Sequence, residues 1–269
     1  MFHVKPSSGI SNMMHFNNFH THTARCRHAE GTEREFIESA LAAGMTTIGF
    51  SDHSPYYFPD GYYSDYRMYP EEQKEYFDTL TALKKEYADR IEILIGYETE
   101  YYPLYFGQFL KMIAPFPVDY LILGLHYLNN EIGRIRTFRP TDRPEHLTEY
   151  VDTVCDGIRT GIFSYLAHPD LLWFNGDEAF RKKEYIRLIA CAVEHHLPLE
   201  INLHGLALGR TYPDEAFFAL AGEMGGVVCI GSDAHAPDQI YPEEAVRKCE
   251  ELIEKYHLSV DPRPLKLLR

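Results

Sequence analysis

No stretch of this sequence approaches the roughly 18 consecutive apolar residues that a membrane-spanning helix needs, so none is expected. Residues 1–14 lack the basic-then-apolar order of a secretory leader. Cysteine is scarce. Cys26, Cys155, Cys191, Cys229 and Cys249 are odd in number, widely spread and make no CxxC pair. Neither a zinc ribbon nor a disulfide framework is implied, and reduced thiols in a cytoplasm are the expectation. Positive charge is also in deficit, with 26 Lys and Arg against 40 Asp and Glu and a formal net charge of −14. That sign opposes a phosphate backbone and speaks against long nucleic acids as partners. Low-complexity tracts and solenoid-type repeats are missing as well.

What the chain does have is alternation. With 269 residues, 45% of them hydrophobic and 25% charged, it can bury a core without staples. Short β-branched and aromatic runs occur at 16–19, 46–50, 91–95, 118–123, 163–166, 199–203 and 227–230. Helical patterns fill most of the intervals, at 36–43, 70–87, 143–160, 177–195, 212–224 and 242–256, with a partly helical stretch over 101–113. Thr32-Glu33-Arg34-Glu35 reads as a capping box opening the first helix, and Gly44 suits its end. About seven strand-then-helix units predict an α/β fold with a parallel sheet. That count, within one domain over residues 1–269, fits a closed or nearly closed barrel better than a doubly wound sheet. The segment 54–69, rich in Tyr, Pro, Asp and Gly, reads as a long loop forming a lid or pocket wall.

The chemistry lies in where certain residues fall. His20, His22, His28, Asp52, His53, Glu98, His126, His168, Asp233 and His235 sit, nearly all of them, at or just past the C-terminal end of an expected strand. In a parallel barrel those ends converge on one face. Imidazole and carboxylate are ligands for Zn²⁺, Mn²⁺ and Fe²⁺. His20 and His22, two apart on a strand, project to one side and can grip one ion. A carboxylate such as Glu98 can bridge two ions, and two neighbouring ions can activate water for in-line attack and neutralise a leaving oxygen. A lone histidine at a strand end is more often a satisfied polar residue than a ligand. Repetition at six strand ends is what points to a metal-dependent hydrolase. Asp52 has a competing role, orienting His53 or another ligand from behind. His195, His196 and His257 fall on helices or their ends and read as surface residues. His3 and His15 precede the first strand, and His204 follows the sixth with its role open.

These motifs resemble those of the PHP family, the polymerase and histidinol phosphatase domain, over almost the whole chain. They are His20-Thr21-His22, Cys26-Arg27-His28 with Ala29-Glu30-Gly31, Ser51-Asp52-His53, Gly96-Tyr97-Glu98, Gly124-Leu125-His126, His168-Pro169 and Gly231-Ser232-Asp233-Ala234-His235. The resemblance implies a distorted (β/α)7 TIM-like barrel. It also implies a first ion on His20, His22, Glu98 and Asp233, and a second on His126 and His168 with Glu98 as the bridge. A third would sit on His28, His53 and His235, so two to three divalent ions (Zn, Mn or Fe) are expected. Asn18 stands where the family often has Asp, so a contact behind the first ion loses its charge. The loop 26–31, the run Ser51-Asp52-His53-Ser54-Pro55 and the chain length are most similar to the stand-alone histidinol-phosphate phosphatases. That implies hydrolysis of L-histidinol phosphate to L-histidinol and phosphate, in histidine biosynthesis.

A small phosphorylated substrate calls for arginines on the strand-end loops, because the guanidinium fork matches two phosphate oxygens. Arg210, in Gly209-Arg210-Thr211-Tyr212, is the first choice and is grouped with Glu98 and Asp52 as catalytic. Arg25, Arg27, Arg136 and Arg139 are weaker candidates, and surface charge is the better reading of Arg25 and Arg139. Glu30 or Asp170 could face a substrate amine. Tyr56-Tyr57-Phe58 could wall an imidazole or simply pack the loop. Rival readings keep the site and change the substrate to phosphotyrosine or a nucleotide, or make the chain a non-catalytic metal-binding module. A TIM-like amidohydrolase also uses His-x-His at the first strand but usually has a lysine at a mid-barrel strand end, and no lysine occupies an expected strand end here.

Overall fold

The strands of the first sheet are buried along almost their whole length, and the pattern has a structural cause. In the computed structural model, which describes residues 14–133 and 135–268, β1 (Thr47–His53) and β3 (Tyr120–Gly124) are buried at every position. β2 (Glu92–Glu100) is buried at all but its first. Such strands are covered on both faces, as parallel sheets are. β1, β2 and β3 form one parallel sheet in that order, with His53 opposite Glu98 and Glu98 opposite Ile122. β4 (Leu199–Asn202), β5 (Val227–Gly231) and β6 (Ser259–Val260) form a second parallel sheet in that order. His3 and all but the last residue of the segment read for a leader lie outside the described residues.

Helices separate the strands. They are α1 (Glu33–Ala42), α2 (Gln73–Glu86), α3 (Pro103–Ile113), α4 (Pro144–Arg159), α5 (Glu178–Glu194), α6 (Leu203–Leu208), α7 (Glu215–Glu223) and α8 (Glu243–Lys255). The expected capping box is present on α1: Thr32 accepts from the Glu35 backbone, and Glu35 reaches back to the Thr32 N–H. Gly44 follows at φ 77°. The helix expected over 212–224 begins later, because Pro213 has no N–H to give and Asp214 caps at that point by accepting from Ala216. α6, unmarked by any periodicity, is capped by Asn202, which accepts from Gly205.

Two of the seven expected strands are extended segments that make single bridges. Residues 16–22 change partner midway. The Gly49 and Ser51 N–H groups donate to Asn18 and Thr21, while His22 donates to Ala234 and Ala234 donates to His20. No ladder grows when the partner switches after one bridge. The segment at 163–167 behaves likewise, with Leu166 bridging Leu123 of β3 on one side and Leu199 of β4 on the other. The protein is therefore α/β with parallel strands in two three-stranded sheets, and these segments link them. No helix among the described residues is long and apolar enough to cross a membrane.

The larger apolar cluster lies between strands and helices, with Phe36, Phe50, Leu80, Leu121, Val154 and Phe217 fully buried. A smaller one, of Phe19, Leu94, Tyr120, Ile122, Tyr165, Ala167 and Cys229, draws on β2, β3, β5 and both extended segments. Along β2, Leu94, Gly96, Glu98 and Glu100 alternate onto one face, which passes from the inner apolar cluster at Leu94 to the carboxylates of Glu98 and Glu100. Two glycines make room for buried carboxylates. A Cβ on Gly124 would lie 2.3 Å from Glu98 Oε1, and one on Gly231 would lie 1.8 Å from Glu200 Oε1. Gly107, in exposed α3 backbone, meets nothing within 4 Å. Gly231→Ala is expected to cost about 1–3 kcal/mol in denaturant unfolding. Gly107→Ala is expected to gain about 0.5–1 kcal/mol in the same measurement.

Candidate metal centre

The strand ends deliver histidines and carboxylates into one buried cluster. Glu98, 1% exposed, sits in the middle. Its Oε2 lies 3.4 Å from His20 Nε2, 3.6 Å from His22 Nε2 and 3.0 Å from His53 Nδ1. Its Oε1 lies 2.9 Å from His168 Nε2 and 3.4 Å from His126 Nε2. Asp233 Oδ1 is 3.1 Å from His22 Nε2 and 3.5 Å from both His20 Nε2 and His235 Nδ1. His28 joins at the outer side, its Nε2 3.0 Å from His235 Nε2. All nine residues singled out from the sequence as ligands are thus brought together.

Two of them pay a conformational cost. His168 and Asp233 hold φ at 29° and 50°, in the left-handed region, where a non-glycine residue loses on the order of 1–3 kcal/mol.

The cluster's buried atoms lack partners of the ordinary kind. Both oxygens of Glu98, both ring nitrogens of His22, His53 and His168, and His20 Nε2 are out of water with no hydrogen bond. Buried polar groups are normally bonded, and this many orphans in one place need another kind of partner. Triads such as His22–His53–His235, His20–His22–Glu98 and His20–His168–Asp233 have ligand atoms within 4.8 Å of one another. Imidazole and carboxylate at that spacing suit divalent cations, so the donor set fits the ions that the sequence implies.

Electrostatics sorts the histidines. Burial alone would lower His20, but Glu200, Asp233 and Glu98 hold it well above the usual range. Burial likewise opposes His22, yet Asp233, Asp52 and Glu98 raise it to about 9. Burial keeps His53, His28 and His235 low, aided by the neighbouring His22. For Glu98 burial favours the neutral acid, but His126, His53 and His20 overcome it and hold the carboxyl well below its ordinary range. Asp233 is held low in the same way, chiefly by His20 and His22 against burial.

A set of groups behind the cluster fixes its geometry. Glu200 Oε1 meets His20 Nδ1 at 2.7 Å, and its Oε2 accepts from the His168 N–H and from Asn202, both at 2.9 Å. Glu100 Oε1 meets His126 Nδ1 at 2.9 Å. Asp52 does not orient the His53 ring. It accepts from the His53 N–H at 2.8 Å and lies 3.5 Å from His22 Nδ1, wholly buried. Asn18 accepts from the N–H groups of His20 and Ser232, so it holds backbone, and Glu200 provides the negative partner to the His20 ring. Sequence reasoning missed Glu100 and Glu200. A charged residue two positions after Glu98 on the same strand face, and another inside the apolar run 199–203, were the available signals.

A cavity of about 370 Å³ opens over the cluster. Arg210, His204, Tyr212 and Gln239 line it together with Tyr66, Phe138, Leu171 and Leu208. Of the five arginines considered, only Arg210 reaches it. Arg25 pairs with Glu33 and Glu75, and Arg27 pairs with Glu72 while stacking on Tyr69. Arg136 stacks on Tyr127 and Phe138, and it lines a separate cavity with Arg139. Tyr56 packs against Tyr102 and Phe109, which resolves its segment as loop packing. Tyr66 is the loop residue facing the cavity, its ring 4.6 Å from that of His53. Asp170 is buried and accepts from the Asp214 N–H, and Glu30 bonds through its backbone to His235; neither lines the cavity.

The PHP domain profile matches residues 18–204. The chain is 29% identical over 235 residues to a probable histidinol-phosphatase of Deinococcus radiodurans, covering 82% of this chain and 86% of that one. It is 26% identical over 247 residues to a probable histidinol-phosphatase of Schizosaccharomyces pombe, covering 82% and 81%. Its fold is similar to a crystal structure of histidinol phosphate phosphatase from Lactococcus lactis complexed with zinc, L-histidinol and phosphate. The TM-score is 0.72 at 20% identity, over 94% of this chain and 99% of that one.

Ion binding should register as stability. Zn²⁺ at a hundredfold excess over its dissociation constant is expected to add about 2.7 kcal/mol per site, and a chelator should remove it. Thermal melts of metal-stripped and reloaded protein check this. Superimposable melts would count against the centre.

Proposed function

The chain belongs to the PHP domain family, and from that premise we propose that it is a metal-dependent phosphomonoesterase hydrolysing L-histidinol phosphate to L-histidinol and phosphate. The observation that carries the chemistry is the set of buried, unbonded imidazole and carboxylate atoms around Glu98. The choice of substrate is supported by the likeness to histidinol-phosphatases over four fifths of the chain.

In this reading His20, His22, Glu98 and Asp233 would hold one ion, and Glu98, His126 and His168 would hold a second. His28, His53 and His235 would hold a third. Two to three ions are taken up, as Zn²⁺, Mn²⁺ or Fe²⁺. Bound there, divalent cations supply Lewis acidity, acidifying water and drawing negative charge from phosphoryl oxygens.

The protein's own groups do the rest. Arg210 forks onto the phosphate. His204, kept neutral by burial and by Arg210 against the pull of Asp233, shares that wall of the cavity. Tyr66, Phe138, Leu171 and Leu208 enclose the organic part of the ester and exclude water. Asp52, Glu100 and Glu200 hold His22, His126 and His20 in place. A cavity of about 370 Å³ suits a small monoester rather than a polymer.

The same reading makes residues 1–269 one phosphoesterase domain and the two sheets arcs of a distorted (β/α)7 barrel. Support comes from Leu166 linking β3 to β4, and from the bridges of Asn18 to Ile48 and Thr21 to Ala234. A cytoplasmic setting belongs with it, supported by five buried, unpaired cysteines.

Purified protein should release phosphate from L-histidinol phosphate and lose that activity on chelation. Phosphotyrosine and mononucleotides make the comparison panel, and preference for either would replace the substrate while keeping the site. Glu98→Gln is expected to lower kcat by about 10²–10³. Arg210→Met, losing a charge-assisted pair of about 1.5–3 kcal/mol, should reduce kcat/KM roughly 10- to 150-fold. Near-native rates for either variant would move its role elsewhere.

A further inference from the structure

We propose that Arg67 and Glu100 are positioning residues that join the 54–69 loop to His126, so that closing the loop and ordering the His126 ring are one event. The inference rests on the metal reading above.

Arg67 comes from a surface loop yet is 1% exposed. Every nitrogen of its guanidinium is engaged. Nε donates to Glu131, Nη1 donates to the Ser54 carbonyl at 2.6 Å and to Glu100 Oε2 at 3.0 Å, and Nη2 donates to Glu100 Oε1 at 3.0 Å. The fork on Glu100 is bidentate, a geometry that lysine cannot copy. Ser54 and Arg67 lie near the two ends of the loop, so one side chain staples it at its base.

Glu100 has a second duty. The same Oε1 lies 2.9 Å from His126 Nδ1. With Nδ1–H donating there, the His126 Nε2 lone pair is left free, and that atom stands 3.4 Å from Glu98 Oε1. A carboxylate behind a ligating histidine sets both the tautomer and the ring direction. Arg67 in turn fixes the carboxylate.

The residue before Arg67 shows what the staple positions. Tyr66 lies against the rings of His53, His28 and His126, with centroids at 4.6, 4.9 and 5.3 Å, and it walls the cavity. The other half of the loop is anchored differently, by Tyr56 and Phe58 packing on Tyr102. An anchor alone could be apolar throughout. A buried guanidinium forked onto the carboxylate behind a ligand serves the cluster as well as the loop.

Glu200 gives the contrast. It backs His20 in the same way, but its other contacts are the His168 N–H and Asn202, with no loop arginine. Of the two carboxylates, only Glu100 is shared with the loop, so His126, and not His20, should feel loop closure through the carboxylate behind it.

Because coupling is reciprocal, it can be read from both ends. Zn²⁺ affinity is measured by chelator competition, and hydrogen exchange is followed over residues 55–66. His126→Ala identifies the binding step that involves His126. Glu100→Gln is expected to weaken that step by about 10- to 100-fold and leave the others unchanged, and Arg67→Met to weaken the same step as much. Stripping metal from the unaltered protein should speed exchange in the loop. In Arg67→Met the loop should exchange fast with or without metal.

Loosening of the loop with unchanged affinity at every step would make Arg67 a structural anchor and overturn the proposal. So would loop exchange indifferent to metal in the unaltered protein. Should Arg67→Met fail to fold, Arg67→Lys and the near-isosteric Glu100→Gln decide the matter by the same affinity reading. Absence of metal binding altogether would sink the parent reading. Metal binding and turnover with Glu100→Gln indistinguishable from the unaltered protein would sink only this one.

Discussion

Glu98 lies out of water with no hydrogen bond to either oxygen, and a carboxylate cannot stay ionised there without positive charge close by. Much of the protein's inner architecture answers that requirement. Imidazoles from five strand ends converge on Glu98 and Asp233, and His28, from the loop after the first segment, joins them at His235. With protons alone, the charge comes from imidazoles such as His20, His22 and His168, which the surrounding carboxylates hold above the ordinary range against burial. His28, His53 and His235 stay neutral and keep lone pairs to offer. A cluster in which some imidazoles are pushed up and others down is suited to exchanging protons for metal ions.

Parallel strands make such convergence possible. Each ends at the same face, so each can contribute one or two polar side chains while its remaining length stays apolar. The division is sharp along β2, where Leu94 joins the inner apolar cluster and Glu98 and Glu100 face the centre. Space for the carboxylates is found by deleting side chains from neighbours, at Gly124 beside Glu98 and at Gly231 beside Glu200. The same glycines belong to the motifs Gly124-Leu125-His126 and Gly231-Ser232-Asp233, so motif and packing have one explanation.

The clustered positions were legible in the sequence because strand ends are marked twice, by the stop of an apolar run and by the histidine or acid that follows. Helix starts were legible where capping residues announced them, as at Thr32 and Asp177. Two strands were legible as apolar runs but not as ladders, since single bridges depend on which neighbours lie alongside, and sequence carries no such information. The groups behind the ligands were the hardest to see. Glu100, Glu200 and Arg67 act through partners 26 to 180 residues away, and nothing local distinguishes them from surface charge. Asn18 shows the same limit. Its substitution for an acid suggested lost charge at the first site, yet Glu200 provides that charge from across the fold.

The partner switch in residues 16–22 has a consequence for how the protein is made. His20 and His22 lie near the start of the chain, while Asp233 and His235 lie near its end, and backbone bonds between His20, His22 and Ala234 hold the two together. During synthesis the first histidines emerge long before the residues that complete their cluster. A chain ending before Asp233 would lack two of the nine clustered residues, Asp233 and His235, and the Ala234 backbone bonds to His20 and His22. The cluster is therefore complete only when residues 16–22 and 233–235 are folded against each other.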